Sequence, residues 1–110
     1  MQEEKFAMNI RSAGSLIRSA EQDIAKSEAV EKMLYAKAMV RAEAQGQKTA
    51  AAQMRCADLE DEVYQARVNR GVAKGALAAA KAEFRACEIE FEQWRSEKAS
   101  NRMERKAYNA

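Results

Sequence analysis

The sequence of 110 residues has no histidine, no proline, four glycines, two cysteines and only one tryptophan. Each shortage excludes something. Without histidine the chain lacks the side chain that most often serves as general base or metal ligand near neutral pH, so the ordinary routes to catalysis are narrow. The β-branched and aromatic residues that build sheets are few. No uncharged run exceeds six residues, as in 75–80, and the opening Met1-Gln2-Glu3-Glu4-Lys5 is followed by no apolar core, so neither a signal peptide nor a membrane span is expected. If Cys56 and Cys87 share one helix, the rise per residue sets them roughly 45 Å apart, beyond the reach of a disulfide within the chain. They read as small apolar residues of a cytosolic protein.

Alanine supplies 24 positions, and a third of the chain is charged. This composition predicts an all-α chain forming one domain over residues 1–110. Nineteen basic against seventeen acidic residues leave a net charge of +2, too balanced to imply a polyanionic partner from the total alone. The only plausible central turn is Gln45-Gly46-Gln47-Lys48-Thr49, where glycine can take the left-handed conformation that ends one helix and threonine can cap the next. The expected elements are helix 1 over about 3–45, a turn at about 46–48 and helix 2 over about 49–106.

Steps of four and three from Ala52 meet Cys56, Leu59, Val63, Ala66, Arg70, Ala73, Leu77, Ala80, Phe84, Cys87, Phe91 and Trp94. Only Arg70 is not apolar, and the phase passes Gly71 and Gly75 without slipping, so no second break is expected there. Helix 1 carries a matching seam in Phe6, Ile10, Ala13, Ile17, Ala20, Ile24, Ser27, Glu31, Leu34 and Ala38. Folded about residue 48, the seams form layers whose residue numbers add to 97, such as Phe6 with Phe91, Ile17 with Ala80 and Ala38 with Leu59. Most layers oppose a large side chain to a small one, which fills an interface without voids. The architecture expected is a long antiparallel helical hairpin, a coiled coil. Its polar exceptions coincide, and Arg70 is expected to bond Glu31 with Ser27 nearby, because a guanidinium in a seam is costly unless paired. Glu21 beside Lys74 and Glu28 beside Arg67 fit the same register.

Helix 1 runs out opposite about residue 96, leaving an overhang of roughly 20 Å on helix 2. It begins at Trp94 and carries Arg95, Lys98, Arg102, Arg105 and Lys106 within a stripe of about 100°. These residues read either as a surface for a partner or a phosphate backbone, or as cations complementing a helix C-terminus with Glu97 and Glu104 interleaved. A second stripe on the back of helix 2 passes through Tyr64, Val68, Val72, Gly75, Ala79, Ala82, Ala86 and Ile89. With Val30, Met33, Tyr35, Met39 and Val40 of helix 1, it would be exposed in a lone hairpin, so assembly into a dimeric helical bundle is expected, with the overhangs free to meet. The acidic runs 58–62 and 88–92 read as solvated faces, and no catalytic, cofactor or metal site is expected.

The segments Leu34-Tyr35, Lys48-Thr49-Ala50, Leu59, Val63, Trp94-Arg95-Ser96-Glu97-Lys98 and Arg105-Lys106-Ala107-Tyr108 resemble a family of short helical proteins of tailed bacteriophages and prophages, often encoded among early, recombination-related genes. The resemblance implies an accessory role in the cytoplasm of a bacterial host, and it transfers no catalytic residue. The leading expectation is an interaction protein that binds a protein partner in phage DNA recombination or replication. The alternatives are an inhibitor of a host nuclease or defence system of the anti-CRISPR kind, acting by steric occlusion, and a direct nucleic-acid-binding protein.

Overall fold

The computed structural model describes residues 1–109 and is all-α, an antiparallel helical hairpin with no strand among the described residues. Helix α1 spans Gln2–Ala44, α2 Ala50–Asp58 and α3 Asp61–Asn109. Two compact units are distinguished. One is Arg18–Leu77, and the other joins Met1–Ile17 to the chain from Ala78 onward.

The central turn lies where glycine and threonine predict it. Gly46, at φ 101°, is the only described residue with positive φ. Its N–H donates to the Glu43 carbonyl and that of Gln47 to the Ala42 carbonyl, each at 3.0 Å, the paired bonds of a Schellman C-cap. Thr49 then caps α2, its hydroxyl accepting from the Ala52 N–H at 3.1 Å. A Gly46→Ala chain should therefore lose about 1 kcal/mol in urea unfolding while keeping its helicity, because a Cβ in the left-handed region is strained even though nothing crowds it.

The seam is found along α1, where each residue from Phe6 to Ala38 named above is buried or half-buried. Its partner runs through α3, which passes Gly71 and Gly75 unbroken. In the unit Arg18–Leu77, Ala38, Ala57 and Val63 are fully buried. In the other unit Ala13 and Cys87 are buried, and the Phe84 ring lies 3.8 Å from where a Cβ on Gly14 would stand. Among the described residues, seven of the nine buried hydrophobic side chains are alanines. Two helices enclose a small side chain completely but leave part of a large one in water, so this core is thin.

Three expectations need correction. The second helix is not continuous over 49–106, because α2 ends at Asp58 and α3 begins at Asp61. Tight turns from Leu59 N–H to the Cys56 carbonyl and from Glu60 N–H to the Ala57 carbonyl close α2. Asp61 and Glu62 then open α3, where carboxylates favour a helix start. This break throws Leu59 outward to 85% exposure, and Ala57 packs beside Ala38 in its place. Tyr35 and Met39 are not bare flank residues either, since both lie half-buried against the Ala38, Ala57 and Val63 core.

Candidate functional site

In the unit Arg18–Leu77 the expected Arg70–Glu31 pair is present, with Arg70 Nη1 2.5 Å from Glu31 Oε2. Its surroundings extend further than the seam pattern indicates. Arg67 Nε donates to Glu31 Oε1 at 3.3 Å, and Arg67 Nη2 donates to Asp58 Oδ1 at 2.7 Å. The Arg67 guanidinium also stands over the Tyr35 ring, 5.7 Å from its centroid. Closer to the turn, Arg41 grips Glu60 through two nitrogens and lies 3.8 Å from Glu62. The hydrogen bond to Glu60 raises the Arg41 pKa, and the bond to Asp58 does the same for Arg67.

This arrangement changes the reading of two features. The acidic run 58–62 is not simply a solvated face, because Asp58, Glu60 and Glu62 pair with arginines and brace the α2–α3 break. Arg67 turns to Asp58 and Glu31 rather than Glu28, and no Glu21–Lys74 bridge occurs among the described residues. Ser27 is half-buried but makes no side-chain hydrogen bond there among the described residues. A shallow groove lined by Glu28, Glu31, Lys32, Tyr35, Arg67 and Arg70 lies over the network. Both arginines are already engaged by Glu31, and Arg67 by Asp58 as well, so the cluster is suited to holding register rather than capturing an ion.

In the other unit, Phe6 of α1 lies 5.8 Å from Phe91 and 5.5 Å from Trp94, centroid to centroid, and Phe91 and Trp94 stack at 6.1 Å. Trp94 is consequently half-buried rather than projecting free. Cations cover the outer faces of this cluster, with Arg95 5.7 Å from the Phe91 centroid and Lys98 5.0 Å from that of Trp94. From Arg95 through Tyr108 every residue is exposed, including Arg102, Arg105 and Lys106. Glu3 shares a surface depression with Trp94, Arg95, Lys98 and Arg102. A second depression is lined by Lys98, Asn101, Arg102 and Arg105.

The residues of the back stripe are open. Tyr64, Val68, Val72 and Gly75 are exposed in the first unit, and Ile89 is exposed in the second. Cys87 is buried beside Glu83, to whose carboxylate its thiol donates at 3.8 Å. Burial first, and the Glu83 and Glu90 charges next, push that thiol's pKa up and so disfavour the reactive thiolate. No helix among the described residues is long and apolar enough to cross a membrane. In comparisons with known proteins, no family model matches the chain, and neither the curated proteins nor the solved structures provide a match.

Proposed function

We propose that this chain is a non-enzymatic interaction protein, a helical hairpin that self-associates along the back of α3 and presents the C-terminal part of that helix to a partner. The carrying observation is an apolar face left open although the seam of the hairpin is already filled. Val63 is 0% exposed in the seam, yet Tyr64, one residue on, is 65% exposed and Val72 68%. Large apolar groups repeated along one helix face favour association, because covering them removes apolar area from water. The partner expected from the resemblance to phage accessory proteins belongs to DNA recombination or replication in a bacterial cytoplasm.

Light scattering at micromolar concentration tests the reading. The native chain should have the mass of a dimer, and the Val68→Glu, Val72→Glu double variant should shift to monomer while retaining helical circular dichroism. A native chain that stays monomeric across that range contradicts self-association.

A further inference from the structure

The end of α3 concentrates charge that the rest of the chain cancels. After Gln93 there are five basic and two acidic residues, whereas the preceding chain has fourteen basic and fifteen acidic. Position on the helix separates them further. At 3.6 residues per turn, Arg95, Lys98, Arg102, Arg105 and Lys106 fall within about 100°, while Glu97 and Glu104 lie roughly 130–150° from the centre of that stripe. The two carboxylates interleave in sequence but lie off the stripe, Glu104 meeting only its edge, where it shares a surface depression with Arg105. No ion pair among the described residues engages any of the five cations, and all five are exposed.

The chemistry between the cations narrows the class of partner. Beyond Trp94 the four-and-three seam steps continue through Lys98, Asn101, Arg105 and Tyr108. A partner helix would need an apolar core at these positions, and three of the four offer charge or an amide group, with only Tyr108 aromatic. A membrane surface would require an apolar face, for which this segment has only Met103 and Tyr108 as large apolar or aromatic groups. A second copy's overhang would set cations against cations, so the overhangs are not expected to meet. A polar, strongly positive face with no apolar centre is instead the character of a nucleic-acid interface.

We infer that the C-terminal face of α3 binds the phosphate backbone of nucleic acid, without reading base sequence. This inference rests on the reading of that helix end as a presented surface and names what it takes. The aromatic cluster of Phe6, Phe91 and Trp94 anchors the near end of the stripe, where Arg95 and Lys98 lie over its rings. Glu3 offsets part of the charge there. Arg95 and Lys98 are held over rings, whereas no such contact engages Arg102, Arg105 or Lys106 among the described residues, so these three carry the larger share of phosphate binding.

The test is fluorescence anisotropy of the full chain on a labelled mixed-sequence DNA duplex across a salt series. With four or five phosphates neutralised, log affinity should fall against log salt with a slope of about −4. The Arg102→Ala, Arg105→Ala, Lys106→Ala variant should bind at least about tenfold more weakly in low salt, and its slope should flatten by about 3. Arg18→Ala, Lys26→Ala, Lys37→Ala removes the same net charge from exposed positions on α1 and should leave binding nearly unchanged. Absence of salt-dependent binding, an equal loss in the α1 variant, or competition by polyglutamate as effective per charge as DNA would overturn the inference, the last by assigning the face to acidic proteins. Light scattering of the same samples separates the two proposals. Failure to bind DNA by an intact dimer defeats only the nucleic-acid inference, whereas a monomeric native chain defeats the self-association reading.

Discussion

Replacing Val63 with aspartate should abolish cooperative folding. Val63 is the largest of the fully buried side chains, and it closes the core with Ala38 and Ala57. Aspartate there would bury a carboxylate with no cation provided for it, or take up a proton to avoid doing so; either route costs several kcal/mol. Domains have only about 5–15 kcal/mol in reserve, and a core this rich in alanine has little area from which to draw it. Most of the helical signal at 222 nm should therefore be lost at 25 °C. Val63→Ala should cost about 2 kcal/mol, the loss of two buried carbons with a small void. Gln65→Asp lies two residues away on an exposed position and should stay within about 0.5 kcal/mol of the native chain. Similar stability for Val63→Asp and Gln65→Asp in urea titration would mean that the seam does not run through residue 63.

The second large effect is expected at Glu31, whose side chain is 13% exposed and bridges two guanidiniums. In Glu31→Ala, Arg67 retains Asp58, but Arg70 faces the seam without the carboxylate that neutralises it. The expected loss is about 2 kcal/mol, with a melting temperature lower by about 10 °C. Arg70→Leu should behave in the opposite sense. It removes the charge that needs a partner, adds an apolar group to the seam and leaves Glu31 bonded to Arg67, so stability should be retained or raised. Thermal melts of the two variants provide the check. Equal and negligible shifts would show that this polar layer contributes nothing to holding the helices in register.

The contrast between what could and could not be read from the sequence has a physical origin. A seam repeats every turn or two, so Phe6 against Phe91 and Glu31 against Arg70 follow from spacing once Gly46 marks the fold-back. The glycine signal at residue 46 is reliable for the same reason that those at 71 and 75 are not breaks. Only Gly46 stands where the apolar phase also changes helix. Periodicity is blind to a break that keeps its spacing, so spacing alone places Leu59 in the seam. The sequence signal for the break is composition, since Asp58, Glu60, Asp61 and Glu62 crowd together where a helix start can use negative charge. What fixes them, however, is Arg41 on α1 and Arg67 farther along α3, partners that no local pattern identifies.

Helical spacing makes the cationic stripe of α3 legible, but not the rings under Arg95 and Lys98 or the depression that Glu3 shares with them. The role of Trp94 also depended on three dimensions. Its ring is held by Phe6, far away in sequence, so the residue closes the aromatic cluster instead of opening the overhang.

The filled seam, and with it the open back face of α3, requires the chain to turn back at Gly46, and a spin-label distance between Asp23 and Lys74 tests this most directly. Both positions are exposed and lie in the same compact unit. The labels would be placed on cysteines at these positions in a Cys56→Ala, Cys87→Ala background, with excess unlabelled protein to suppress distances between molecules. Antiparallel helices pack with axes about 8–10 Å apart, so the hairpin predicts a narrow distribution below about 30 Å, allowing for the label arms. A single helix continuing through Gly46 would separate the same residues by about 76 Å, and a distribution centred there would contradict the account.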